Sequence, residues 1–323
     1  MNISYNKKTE EQINQFLSVE NIHELPDIFH YWSNKYLRPK INAVFDSDSV
    51  IECYTSNILD AFKETGQKNI LSVGSGDCDL EIKIASKLLE SDMINFKITC
   101  LELSPDLLSR AQSKIEKSNL TNFLNLKEVD INKWDSFEKY SSIIANHSLH
   151  HFLNLEKIFQ NIYNSLELRG RFITNDIIGR NGHMRWPEVL EFVEGIWSFL
   201  PDKYKYNQQK KCLEKAFVNW DCSQEGFEGI RAQDILPMCL NYFNFSKFVA
   251  YGGIVDIFID RDFGHNFDIN NKLDLGLIDF IQLLDDRLNA SGITKPTMMW
   301  AVMCKHDVKC KMIEEISPKF CLR

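Results

Sequence analysis

The chain has 323 residues, 44% hydrophobic, 12% aromatic and 25% charged, enough apolar material for a sizeable core, which excludes a disordered chain or a stapled miniprotein. A formal charge of -8, with 12 carboxylates against 5 basic residues from Asp221 to Arg287, argues against nucleic acid, whose phosphates need clustered Lys and Arg. Nine cysteines scattered from Cys53 to Cys321 without a C-x-x-C pair fit neither a disulfide framework nor a zinc ribbon, so a reducing cytoplasm is the expected setting.

The opening MNISYNKKTEEQINQF has no apolar h-region, so no signal peptide is expected. DIFHYWSNKYLRPK follows, dense in rings and cations. Val50, Ile51, Tyr54, Ile58, Leu59 and Phe62 then repeat at helical spacing toward a stop near Gly66. From there short β-branched runs alternate with amphipathic helices, the pattern of a parallel sheet covered on both faces. Strands are expected at 69–74, 96–103, 124–130, 140–148 and 170–177. Ser104, Pro105 and Asp106 supply a helix start, and a helix from Asn154 to Glu167 is expected to stop at Gly170. Residues 179–243, rich in Trp and Tyr, read as a helical insertion. Strand character returns at 245–253 and, after a helix around Leu275 to Leu288, at 295–305, where the two strands can pair antiparallel at the sheet edge. The most apolar stretch, Ile235 to Ile259, is broken by Pro237, Gly252, Gly253 and Asp256 and cannot span a bilayer.

The expected fold is therefore α/β, a doubly wound, mostly parallel seven-stranded sheet with an antiparallel edge hairpin. Four regions are expected: a helical N-terminal lid (1–66), a Rossmann-like cofactor-binding core (67–178), a helical insertion capping the substrate (179–244), and edge strands with a helix completing the core (245–323).

The sharpest motif is ILSVGSGDCDLE, a strand running into Gly74, Ser75 and Gly76 and then a helix. Glycines there let the backbone turn tightly and approach a ligand. A bare G-x-G is equally a structural turn, but Glu102, followed by Leu103, ends the next strand beside it and can accept both hydroxyls of a ribose. Asp130, followed by Ile131, ends the third strand, where it either meets an adenine amino group or caps the short turn before Trp134.

With this Gly loop, Glu102, Asp130 and the SLHH segment, the chain resembles the class I S-adenosylmethionine-dependent methyltransferases over roughly Asn69 to Asp176. The resemblance implies S-adenosyl-L-methionine as cofactor and S-adenosyl-L-homocysteine as product, with Glu102 on the ribose diol, Asp130 at adenine and Asn146 near the methionine moiety. Two positions depart from the pattern. Ser72 stands where the family often has an acid, leaving Asp77, Asp79 or Glu81 to hold the methionine amino group, and Cys78 stands where it has a third glycine. A nicotinamide dehydrogenase is the rival for a G-x-G loop, but Asp79 occupies the place of its third glycine.

Three histidines, His147, His150 and His151, lie where the fourth strand meets its loop. No acidic or Cys ligand accompanies them at helical spacing, so no metal is expected. The candidate catalytic groups are His150, His183 and His147. Imidazole titrates near neutrality and suits a general base, and a loop histidine held by hydrogen bonds is the alternative for His150 and His151. Arg180, Asn181, His183, Arg185 and Trp186 follow the fifth strand at the expected ligand crevice, either as substrate contacts or as a braced hinge. Tyr31, Trp32, Tyr36, Arg180 and Trp186 are expected to wall an acceptor pocket, while Trp197 repeats with Leu190 and Val193 as core. The segment RDFGHNFD (261–268) reads as a structural turn.

The expected activity is in-line methyl transfer to oxygen or nitrogen of a small organic acceptor. The alternatives are a protein or peptide side-chain methyltransferase, a non-catalytic cofactor-binding protein and, least favoured, an NAD-dependent oxidoreductase. Neither nucleic acid nor membrane is expected as a partner, and a monomer and a homodimer both fit.

Overall fold

The computed structural model describes residues 3–17, 25–136, 138–224, 226–313 and 316–323. In chain order its elements begin with α1 (Ile3–Leu17), α2 (Asp27–Trp32), a π turn over Ser33–Leu37, α3 (Arg38–Phe45) and α4 (Val50–Thr65). The alternating part follows as β1 (Asn69–Val73), α5 (Asp79–Glu90), β2 (Lys97–Glu102), α6 (Pro105–Lys117), β3 (Leu124–Glu128), β4 (Tyr140–Asn146), α7 (Leu155–Ser165) and β5 (Leu166–Ile177). Next come α8 (Pro187–Phe199), a small hairpin of β6 (Tyr206–Asn207) and β7 (Cys212–Leu213), and α9 (Ala232–Tyr242). The chain closes with β8 (Asn244–Tyr251), α10 (Val255–Ile259), α11 (Lys272–Ser291), β9 (Met298–Cys304) and β10 (Lys311–Met312).

The large sheet runs β10-β8-β9-β5-β4-β1-β2-β3. The strands from β3 to β5 are parallel, and β9 pairs antiparallel with both β5 and β8. An eighth strand, the two-residue β10, pairs parallel with β8 and lies outside the seven expected from sequence. Alternate strand residues feed two cores: Ile70, Ile144 and Ile173 enter one, Leu71, Ile143 and Phe172 the other, as a sheet buried on both faces requires. Strand order reverses between β1 and β4, and the crevice beyond their carboxyl ends is where such sheets bind ligands.

Local expectations held where the chemistry is short-range. Gly66, at φ 71°, closes α4, and Ser104 caps α6 by accepting from the Leu107 N–H, with Pro105 at the first position. Three details differ. The buried face of α4 is Cys53, Tyr54, Thr55, Asn57, Ile58, Ala61 and Phe62, with Val50 exposed, where the helix packs on β4, β5 and α5. Gly170 does not stop a helix; it lies inside β5, where a Cβ would sit 2.8 Å from both the Ser141 carbonyl oxygen and Leu166 Cδ1. Finally, α9 buries Ile235, Leu236 and Cys239 in the core shared with α7, so this end of the expected cap covers the sheet. No described helix is long and apolar enough to cross a membrane.

Candidate active site

A cavity of about 1610 Å³ opens beyond the carboxyl ends of the parallel strands, and Gly74, Glu102, Asp130, Asn146, His150 and His183 all line it. Sheet geometry is the reason, since parallel strands deliver successive tips to one edge.

At the tip of β1 the N–H groups of Gly74 and Ser75 both donate to the Leu101 carbonyl, at 2.9 and 3.1 Å. Gly74 has φ 71°, and a Cβ there would lie 2.7 Å from Ser148 Cβ, so both conformation and space demand glycine. Gly76, at φ 55°, has nothing within 4 Å of the Cβ position and faces open cavity. Cys78 takes the left-handed conformation (φ 61°) that a third glycine would suit, and its side chain is fully buried.

Glu102 is locked in place. One carboxylate oxygen accepts from the Gly76 N–H at 2.9 Å, the other from Leu103 and Ser104 N–H at 2.8 and 2.9 Å. Burial raises its pKa, and these three donors work against that rise. The oxygen that accepts from Gly76 keeps a further lone pair for a ribose hydroxyl, while the two donors Leu103 and Ser104 fill the other. Asp130 accepts from the Asn132 N–H at 3.1 Å, so the expected cap is present. It also accepts from the Tyr5 hydroxyl, 2.9 Å from each oxygen, and pairs with Lys133 at 2.9 Å. Burial, then Asp130, pushes the Tyr5 phenol up to about 12. Asn146 accepts from the Tyr54 hydroxyl at 2.8 Å, and Leu103 and Ile131 complete this end of the wall. Glycines facing open space and a fixed carboxylate beside them suit the ribose and adenine of an adenosyl group.

The other end of the cavity is an imidazole and carboxylate cluster. His150 Nδ1 lies 2.6 Å from Asp176 Oδ1, and Asp176 Oδ2 accepts from the Ser148 and Leu149 N–H groups at 3.0 and 2.8 Å. Glu228 is the hub: one oxygen is 2.7 Å from His183 Nε2 and 3.4 Å from His150 Nε2, the other 3.5 Å from His151 Nδ1. Burial opposes charge on His150, but Asp176 and then Glu228 raise its pKa to about 10. His151 is pushed down to about 4 by burial and by the neighbouring His150. Burial disfavours the charge on Glu228, yet His151, His150 and His183 outweigh it and keep the group well below the usual carboxylate range. His147 opens on the cavity at φ 49°, and burial lowers its pKa.

The His150 shift has a sign that stability measurements can read. Its folded value, about 10, lies above the ordinary 6.5, so the stabilisation is complete below pH 6.5 and is lost as pH rises through the folded value. Urea midpoints of the wild type are expected to fall across that window, and His150→Gln is expected to flatten the decline. An unchanged slope in the variant would remove the ion pair from the account.

Glu228 reaches the cluster because its segment is pinned. Ile230 N–H donates to the His150 carbonyl at 3.1 Å, Gly182 N–H donates to the Gly229 carbonyl at 2.9 Å, and Arg231 forks onto Glu156 at 2.6 and 2.7 Å. A Cβ on Gly229 would lie 2.8 Å from His183 Cδ2. His183 itself holds φ 57°, an uncommon state for a side chain with Cβ, and sites that hold such strain are frequently functional. On the near side α1 closes the wall, with Gln12 Nε2 at 3.3 Å from His151 Nδ1 and Gln12 Oε1 accepting from Phe227 N–H at 2.9 Å.

Several expected acceptor contacts lie elsewhere. Tyr31 and Tyr36 donate to Asp279 on α11, at 2.9 and 2.6 Å, and do not line the cavity, because α2 and the turn after it lie against α11. Trp186 is sandwiched by Arg180 and Arg323, 5.5 and 4.1 Å from its ring, away from the cavity lining. Trp32 is in the wall, its indole bonded to Gln282, and Arg180 lines the cavity while donating to the Arg185 carbonyl. Trp197 is core, as expected. The 261–268 turn braces the β6–β7 hairpin through Asn266, which donates to the Tyr204 and Tyr206 carbonyls, and Arg261, Asp262, Phe263 and His265 also line the cavity.

Sequence reasoning missed Glu228, Tyr5 and Gln12. The signal available for Glu228 was GFEGIR, an acid bracketed by Gly226 and Gly229, both at positive φ. The no-metal expectation rested on the lack of an acidic partner nearby, and the fold supplies one: donor atoms of His150, His183 and Glu228 lie within 4.8 Å of one another.

Residues 64–214 match the family described as a methyltransferase domain. Among curated proteins none matches the chain. Solved structures with a similar course include the O-methyltransferase of a trans-AT PKS multienzyme of Brevibacillus brevis with S-adenosyl-L-homocysteine (13% identity, TM-score 0.43, 77% of this chain and 72% of that one). Two others are the plantazolicin methyltransferase BpumL with SAH (12%, 0.43, 94% and 98%) and the [4+2]-cyclase SpnF (13%, 0.44, 79% and 81%). The fold and the family match thus place a methyltransferase domain over residues 64–214.

Proposed function

We propose that this chain methylates an oxygen or nitrogen of a small organic acceptor, with His183 as general base oriented by Glu228. One observation carries the reading: a single cavity joins the adenosyl cradle at Gly74, Gly76 and Glu102 to the His183–Glu228 pair. When bound, the cofactor supplies a methyl group on a sulfonium, whose departure needs no protonation. The work left to the protein is orientation, approach and exclusion of water. Glu102 and Asp130 hold the nucleoside end. With the Glu228 carboxylate 2.7 Å from His183 Nε2, the Nδ1 lone pair accepts the acceptor's proton as the new bond to carbon forms. The carboxylate then stabilises the imidazolium. Enclosure by α1 and the 206–220 segment favours a small acceptor over a protein side chain.

Calorimetric titration with S-adenosylmethionine and NADH, followed by incubation of the host's small-molecule extract with methyl-labelled cofactor, tests the proposal. The expected result is micromolar binding of the sulfonium compound alone and a labelled small product. NADH binding without it favours the oxidoreductase, label in protein favours peptide methylation, and binding without turnover favours a non-catalytic role. A second reading rests on the His150, His183 and Glu228 donors, a set suited to a divalent ion. In the same assay, turnover abolished by a chelator and restored by zinc or manganese selects the metal; turnover indifferent to chelation selects the base.

A further inference from the structure

A surface helix ordinarily turns its apolar stripe inward and its charged face to water. The longest described helix, α11, departs from this. One face packs into the core through Ile278 and Ile281. The opposite face is apolar and open: Leu273, Phe280 and Leu283 are 74, 57 and 55% exposed, and Gly276, Arg287 and Ala290 are exposed beside them. These six positions alternate steps of three and four residues, the spacing at which one helix seats its side chains in another. Gly276 adds an independent sign. Glycine weakens a helix interior relative to alanine, and nothing in this chain calls for it there, since a Cβ would meet nothing within 4 Å. A second helix approaching closely would call for it.

We propose that α11 pairs antiparallel with α11 of a second copy of this chain across a two-fold axis. Such a contact requires a patch that complements itself, and this one does. With Phe280 against Leu283 of the partner subunit, reversal of direction alone brings Leu273 to Ala290 of the partner subunit and Arg287 to Gly276 of the partner subunit. A large side chain then faces a small residue at both ends of the strip. Charge is matched as well. The acids beside the strip, Asp279 and Asp286, are neutralised by Lys35 and Lys40, so two copies meet without repulsion, and Arg287 arrives one turn from Asp279 of the partner subunit. The exposed apolar strip amounts to roughly 400 Å² per chain, the size of a functional patch. Two of them supply on the order of 800 Å², the apolar share of a specific interface of about 1,200 Å².

Analytical ultracentrifugation of the full chain, from about 1 to about 100 μM, tests the pairing. The wild type is expected to reach twice the mass of one chain within that range. Phe280→Glu is expected to weaken association about 100-fold, as loss of a central apolar anchor implies, with far-UV circular dichroism unchanged because the side chain is exposed on the single chain. Gly276→Arg sets two arginines face to face and is expected to cause a similar loss. Adding Arg287→Ala to Gly276→Arg removes that clash and is expected to restore association to within about tenfold of wild type, the coupling that contacting residues show. A dimer that survives both single variants, or a double variant without recovery, overturns the pairing. A monomeric wild type overturns it too: flotation with phosphatidylglycerol vesicles then assigns the strip to a membrane surface, and no flotation assigns it to a different protein.

Discussion

Glu102→Ala is expected to abolish calorimetrically measurable binding of S-adenosylmethionine, a loss of more than about 100-fold, while the protein stays folded by circular dichroism. Two losses combine. The ribose hydroxyls lose a charged acceptor, worth about 1.5–3 kcal/mol per hydrogen bond, and about 1.4 kcal/mol is tenfold in affinity. The loop also loses its anchor, because the carboxylate binds the Gly76, Leu103 and Ser104 N–H groups, and without it the approach path at Gly76 is no longer held. Glu102→Gln separates the two, since the amide oxygen can still accept from one side of the loop; an intermediate loss is expected. Wild-type affinity in Glu102→Ala would mean that the adenosyl group sits elsewhere.

The second large effect concerns turnover. His183→Ala is expected to lower kcat by about 10²–10⁴, the usual contribution of a positioned base, with cofactor affinity within about threefold of wild type because His183 sits against Glu228 and His150, at the other end of the cavity from Glu102. Glu228→Gln removes the charge 2.7 Å from His183 Nε2 and is expected to reproduce most of that loss and to shift the pH profile of kcat, which a structural role would leave in place. Tenfold or smaller effects in both variants, with the profile unmoved, would hand the base role to His147 or His150, the other candidates on the cavity wall.

Much of the glycine-loop end of the cavity was legible from sequence because its determinants are local. Gly74 and Gly76 mark a turn by their own backbone freedom, and Ser104 and Pro105 start a helix within four residues. Glu102 and Asp130 end runs of alternating apolar residues, and strand tips in a parallel sheet share an edge. The acceptor end was not legible in this way. Tyr31 and Tyr36 carry the ring density of a pocket wall, but Asp279 on α11 takes both hydroxyls, a partner that no spacing rule reveals. His183 was read as a base without its carboxylate, since Glu228 arrives from a separate segment.

By itself, then, the amino-acid order determined the sheet, the glycine bend and the acids at adjacent strand tips, because hydrophobic period and backbone conformation act over a few residues. Only the tertiary structure decided which acid meets which imidazole, that Lys114 takes both Asp77 and Asp79, and that Tyr5 lies on Asp130. Those pairings join distant segments, and their energies depend on burial and on separations of a few ångströms that exist only once the chain has closed around the cavity.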